Sequence, residues 1–230
     1  MIVARPPDPI AMRARLAESH LLLVFTPEIC GDRNPLECLG AALESIDVIQ
    51  IRPKAAGSDA PGSARDTFTW GVRVLDLLSG RPGPQPLVVV NDRIDVARVL
   101  HDTGCAGVHL GQDDCPVEVA RELLGPAALI GLSTHNVRQV AEAAERSFDY
   151  LGFGPIHATR TRGYDRGLGC EAAWIAAAGS STPLFPIGGI DVANAGELSR
   201  IGRAAVGSAI LSAADPGCAA REIRRLLASV

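Results

Sequence analysis

Gln50, Arg52 and Lys54 are spaced by two at the end of an apolar run over 47–54. On a β-strand that spacing puts all three side chains on one face. Two cations aimed into one mouth call for an anion to meet them, because unpaired charge is costly away from water. A lone R-x-K, by contrast, reads first as solvated charge at a strand end, and it is the partners at the other strand ends that point to an anion site. Asn91 and Asp92 close another apolar run, and Gln112, Asp113 and Asp114 close the next. Asp92 and Asp114 are thus two carboxylates at neighbouring strand ends. Facing carboxylates repel unless a proton or cation lies between them. A hard ion such as Mg2+ takes oxygen ligands and completes its shell with water and substrate phosphates. Taken singly, each aspartate reads first as the cap of the helix that follows it.

Ser133, Thr134 and His135 end a further run, with His135 able to act as acid, base or hydrogen-bonder. His109 lies inside an apolar stretch and reads as a buried histidine with its hydrogen bonds satisfied. His157 stands next to Thr159, Arg160, Thr161 and Arg162, where it could line a mouth. Gly188 and Gly189 in I-G-G-I, with Gly207 and Ser208 further on, suggest a phosphate cradle. Glycines let backbone N–H groups turn toward an anion, although a plain tight turn has the same composition.

The elements that must position these residues alternate. Apolar runs at 21–27, 47–54, 86–92, 107–112, 129–135, 150–156, 183–190 and 204–211 give eight candidate strands. Several are nearly continuous hydrophobics, as parallel strands covered on both faces require. Helical periodicity fills 93–104, 116–125, 137–147 and 217–230, and 8–19 reads as an extra N-terminal helix. Pro116 stands at a plausible first helical position. Trp70 and Trp174 fall in helical segments as packing residues. The alternation predicts a single (β/α)8 TIM barrel domain over 1–230, with every polar cluster at the C-terminal ends of its strands. An open doubly wound sheet shares the alternation, but no G-x-G-x-x-G follows the first strand. The segment 53–66, rich in Gly, Ala, Ser and Pro, reads as a loop or lid.

A formal net charge of -4 argues against nucleic-acid and anionic-membrane partners, so any cationic site must be local. No apolar run approaches a membrane span, and the first residues lack the apolar core of a secretory signal. The six cysteines include no CxxC pair, which favours reduced thiols in a cytoplasmic protein over a zinc or dithiol motif.

The motifs Q-I-R-P-K (50–54), V-N-D-R-I-D-V-A (90–97), G-V-H-L-G-Q-D-D (107–114), G-L-S-T-H (131–135), G-P-I-H-A-T-R-T-R (154–162) and I-G-G-I (187–190) resemble those of the thiamine phosphate synthase / TenI superfamily. They occur in register from about the second strand onward. The resemblance implies a (β/α)8 barrel and a transferase reaction. A hydroxymethylpyrimidine diphosphate is joined to a thiazole phosphate, giving thiamine monophosphate and pyrophosphate. It implies that Gln50, Arg52, Lys54 and Asn91 hold the pyrimidine diphosphate, and that Asp92 and Asp114 position Mg2+. Ser133 would touch the pyrimidine or its leaving group. Thr159, Thr161, Gly188, Gly189, Gly207 and Ser208 would receive the thiazole phosphate or nearby groups. Arg52, Lys54, Ser133 and Arg162 would be the catalytic set. The implied chemistry breaks the C–O bond early, and the thiazole nitrogen captures the pyrimidine methylene cation. The implied partners are small molecules, and a homo-oligomer is compatible with this reading.

One departure stands out. The family's synthases usually carry T-x-T-K after the sixth strand, whereas this chain has T-R-T-R, with Arg162 at the lysine position. A planar fork replaces a compact ammonium there. The resemblance also carries two alternatives. One is a TenI-like thiazole tautomerase acting through His135, although those relatives tend to lack the paired aspartates. The other is a non-catalytic barrel that binds thiamine phosphate.

Overall fold

A computed structural model describes residues 8–55, 57–58, 60–158 and 166–229. The strands are β1 Leu21–Phe25, β2 Val48–Ile51, β3 Leu87–Asn91, β4 Cys105–Leu110, β5 Leu129–Thr134, β6 Tyr150–Phe153, β7 Leu184–Pro186 and β8 Ala204–Val206. They form one eight-stranded sheet in the order β7-β6-β5-β4-β3-β2-β1-β8. Each neighbouring pair is parallel. A parallel bridge between Ile187 and Ala205 brings the two edges together. The result is the barrel that the alternation predicts.

The helices are α1 Pro9–Ala17, α2 Pro35–Ala42, α3 Ala64–Ser79, α4 Ile94–Leu100, α5 Val117–Leu124, α6 Val137–Ala144, α7 Cys170–Ala178, α8 Ser208–Leu211 and α9 Pro216–Leu227. Their starts follow local chemistry. Asp8, Asn34, Asn136 and Asp215 each accept a hydrogen bond from a backbone N–H of the first turn they precede. Ser63 and Asp66 form a reciprocal capping box at α3.

The strands bury two shells. Leu21, Leu23, Phe25, Ile49 and Ile51 face outward and pack under the helices. Leu22, Val24, Val48, Leu87, Tyr150 and Phe185 face inward, where Met12 and Leu16 of α1 join them. The extra N-terminal helix is therefore a plug at the N-terminal end of the barrel. Gly131 makes the interior fit, since a Cβ there would lie 2.2 Å from the Tyr150 ring and 2.6 Å from His109 Nδ1.

Several ends differ from the sequence reading. β2 stops at Ile51, and Lys54 instead forms an isolated antiparallel bridge with Pro61. Pro53 has no N–H with which to extend the ladder. β7 stops before I-G-G-I, where Gly188 and Gly189 take positive φ values of 102° and 65°. β8 stops at Val206, and the S-A-I-L expected as strand is the single-turn helix α8. Pro116 occupies the cap position of α5 and lies just outside the helix. In the 53–66 segment, Gly62 N–H donates to the Pro53 carbonyl at 2.9 Å, and α3 begins at Ala64. Among the described residues no helix is long and apolar enough to cross a membrane.

Candidate active site

A cavity opens at the C-terminal ends of the strands. Gln50, Arg52 and Ser133 line it on one side, and Gly188, Gly189, Gly207 and Ser208 on the other. Lys54, Asn91, Asp92 and Asp114 do not contribute to its wall.

Gln50 is buried, and its side chain is satisfied by a neighbouring strand. Its Nε2 donates to Asn91 Oδ1 at 2.7 Å, and Asn91 Nδ2 donates to Asp92 Oδ2 at 2.6 Å. This chain of amides links the cavity wall to Asp92. Among the described residues, Asp92 is the non-glycine residue with a left-handed backbone, at φ 59°. Such a conformation is uncommon outside glycine and is best tolerated by Asp and Asn. The Asp92 N–H donates to the His109 carbonyl at 2.8 Å, which ties the end of β3 to β4. Asp114 folds back to accept from Gly111 N–H at 2.7 Å. The helix-capping alternative is thereby corrected for both aspartates. The cap positions of α4 and α5 are Arg93 and Pro116, and neither helix has a side-chain cap.

Lys54 sits beyond the strand, with its backbone N–H donating to Glu28 Oε2 at 3.0 Å. The strand parity that brings Gln50 and Arg52 to the cavity is lost at Pro53, so the three residues do not share one strand face.

His109 is buried and satisfied, as expected, and it also lines the cavity. Its Nδ1 is 3.0 Å from Tyr150 Oη and its Nε2 is 2.9 Å from Ser133 Oγ. Burial, with Asp149 and Cys105 nearby, pushes the Tyr150 phenol well above its ordinary range. It stays protonated and can donate to Nδ1. The imidazole is thus held between two hydroxyls, each able to donate or accept. Gln112 Nε2 donates to the Ser133 carbonyl at 2.6 Å and holds the same strand end.

His135 also lines the cavity. Its Nδ1 is 2.7 Å from the Gly154 carbonyl. A carbonyl only accepts, so Nδ1 carries the proton and Nε2 is left as an acceptor. On the glycine side, the Gly188 carbonyl accepts from His157 N–H at 3.0 Å, and the Gly189 carbonyl accepts from Asn194 Nδ2 at 2.8 Å. A Cβ at Gly188 would lie 2.7 Å from Pro155 Cβ, and one at Gly189 would lie 2.7 Å from the Ala158 carbonyl. The loops after β6 and β7 therefore pack together only without side chains at these positions. Thr159, Thr161 and Arg162 lie outside the described residues.

The sequence reading did not include Thr26, which is buried in the cavity wall. It stands two residues after inward-facing Val24, so strand parity carried past the end of β1 would have found it. The sequence marks His109 as buried but not as part of the wall. Its partner Tyr150 is 41 positions away, so no local spacing announces the contact.

The thiamine monophosphate synthase family model matches residues 21–213. The chain is 39% identical over 218 residues to a thiamine-phosphate synthase of Laribacter hongkongensis, covering 92% of this chain and 97% of that protein. It is also 39% identical over 218 residues to a thiamine-phosphate synthase of Synechococcus sp. strain CC9605. That match covers 94% of this chain but 57% of the Synechococcus protein, so the chain spans little more than half of that relative. Among solved structures, thiamine phosphate pyrophosphorylase from Pyrococcus furiosus superposes with a TM-score of 0.74 at 28% identity, covering 94% and 98% of the two chains. A 3-hexulose-6-phosphate synthase superposes at 0.63 with 17% identity, a likeness of fold alone.

Proposed function

The chain belongs to the thiamine monophosphate synthase family, and on that basis we propose that it joins a hydroxymethylpyrimidine diphosphate to a thiazole phosphate, forming thiamine monophosphate and releasing pyrophosphate. The observation that carries this reading is the two-sided cavity. Gln50, Arg52 and Ser133 face Gly188, Gly189, Gly207 and Ser208 across it.

On the first side, Arg52 in the wall and Lys54 in the segment beyond it hold the diphosphate, and Asn91, behind the wall, holds Gln50 against the substrate's polar edge. Ser133, held by His109, would touch the pyrimidine or its departing group. On the second side, the glycine turn and the Gly207–Ser208 segment take the thiazole phosphate, together with Thr159, Thr161 and Arg162. Holding the two substrates against each other converts a bimolecular encounter into an oriented one. The pyrimidine C–O bond breaks, its electron pair leaves with pyrophosphate, and the thiazole nitrogen forms the new bond to the methylene carbon. No nucleophile from the protein is needed. Cationic side chains stabilise the leaving charge.

Asp92 and Asp114 fit Mg2+ by the chemistry of their donor set. Both are carboxylates, in the segments that follow the paired strands β3 and β4, and one oxygen of each is already oriented by an amide donor. Bound there, Mg2+ would neutralise charge on the diphosphate.

The test is product formation. Purified protein with both substrates and Mg2+ is expected to yield thiamine monophosphate and pyrophosphate in equal amounts. Absence of product at saturating substrate sinks the proposal. The tautomer fixed on His135 favours one second reading, proton transfer on a thiazole. A thiazole tautomerase would work without Mg2+ and fail in His135→Ala, whereas the synthase requires the metal.

A further inference from the structure

Outside the cavity, side chains from three separate segments meet. His157 follows β6, Cys170 opens α7, and Glu197 lies in the short turn Ala195–Leu198. Their candidate ligand atoms all lie within 4.8 Å of one another. Cys170 Sγ is 3.2 Å from Glu197 Oε2 and 3.9 Å from His157 Nε2. Cys170 is buried, His157 half-buried and Glu197 exposed, so the group is dry on one side and open to water on the other. Among the described residues, no other set of three His, Cys, Asp or Glu side chains is close enough to share an ion.

We propose that His157, Cys170 and Glu197 form a three-ligand site for a borderline-soft divalent cation of the Zn2+ type, with water in the fourth position. Zinc bonds of about 2.3 Å to sulfur and about 2.0–2.2 Å to nitrogen and oxygen put tetrahedral ligand atoms roughly 3.3–3.6 Å apart. The two sulfur distances of 3.2 and 3.9 Å bracket that range, and the long, exposed Glu197 side chain supplies the adjustment. The donor set separates this site from Asp92 and Asp114. Thiolate and imidazole select a softer ion than two carboxylates do. Without metal, burial and the neighbouring Glu197 push the Cys170 thiol up to about 11. On binding, the thiol proton leaves to solvent and the sulfur–metal bond takes its place. The site lies directly behind the glycine turn, because His157 N–H also holds the Gly188 carbonyl at 3.0 Å. It uses none of the residues assigned to the transferase reaction, so either reading can fail without the other.

Co2+ is the probe, added to the full-length reduced protein in excess Mg2+, which occupies sites built only of oxygen. One equivalent is expected to produce the intense near-ultraviolet absorption of a thiolate–Co2+ bond, and Zn2+ is expected to abolish it. Cys170→Ala should remove the band while circular dichroism stays unchanged. Glu197→Gln alters only an exposed side chain, so folding is not at issue, and it should weaken Zn2+ binding by on the order of 10-fold or more. Absence of the band overturns the proposal. So does its persistence in Cys170→Ala, as would occur if Cys115 or Cys218 were the ligand, or unchanged Zn2+ affinity in Glu197→Gln.

Discussion

The two ends of the barrel use charge differently. At the N-terminal end, carboxylates close on arginines. Asp149 accepts from Arg13 Nε and Arg121 Nη2, each at 2.7 Å, and from Ile130 N–H at 2.8 Å. Asp47 accepts from Arg224 Nη1 at 2.6 Å and from His20 N–H at 2.8 Å. Met12 and Leu16 cover the opening. At the C-terminal end, Asp92 accepts from the Asn91 amide and Asp114 from Gly111 N–H. The backbone there is left-handed at Asp92, Gly188 and Gly189, and a cavity lies open. One end uses its polar groups to hold the fold. The other holds its polar groups in conformations that a purely structural role does not require, which is how barrels divide stability from function.

The sharpest way to break that division is Asp92→Asn. Asparagine keeps the size of the side chain and tolerates the left-handed backbone. Turnover with Mg2+ is expected to fall about 100- to 1,000-fold, the scale set by loss of one charge-stabilising group. The urea midpoint should barely move. A large stability loss with turnover retained would reverse the assignment of the two ends. Asp149→Ala is the mirror experiment. It leaves two guanidiniums facing a gap, although Arg13 is 38% exposed and water relieves part of the penalty. A stability loss of about 3 kcal/mol is expected by urea unfolding, with turnover per folded molecule unchanged. Gly131→Ala should come next, because its Cβ meets the ring of Tyr150. Overpacking of this kind costs about 1–3 kcal/mol, and the displaced ring should show in near-ultraviolet circular dichroism.

Much of this was legible in the sequence, for reasons that differ by element. The eight strands announce themselves because both faces of each are covered, one by helices and one by the barrel interior. The strand-end clusters are legible because parity in a parallel strand is strict, and parity places Gln50 and Arg52 correctly. It fails at Lys54, because Pro53 ends the ladder. It is silent on Asp92, whose left-handed backbone turns it away from the cap that its position suggests. Contacts between distant segments are the hardest to read. His109 with Tyr150, and Cys170 with His157 and Glu197, join strands and loops that only the closed barrel brings together. Cysteine spacing is silent on such a cluster, since side chains that meet from three segments need no local motif.

Tyr150 is where the two ends meet, and it sharpens the comparison most finely. Its ring belongs to the packed interior with Phe185, at 6.0 Å between centroids and nearly perpendicular. Its hydroxyl belongs to the cavity chain through His109 and Ser133. Tyr150→Phe keeps the ring and removes the hydroxyl, so His109 Nδ1 loses that partner in a buried setting. The expected stability loss is about 1 kcal/mol, the net worth of one hydrogen bond. If the interior only supports the site, kcat should change no more than a few-fold, through looser orientation of the Ser133 hydroxyl, and KM should hold. A fall in kcat as large as that of Asp92→Asn would mean that the buried hydrogen-bond chain is part of the reaction machinery. The boundary between the holding end and the working end would then lie a full layer deeper in the barrel.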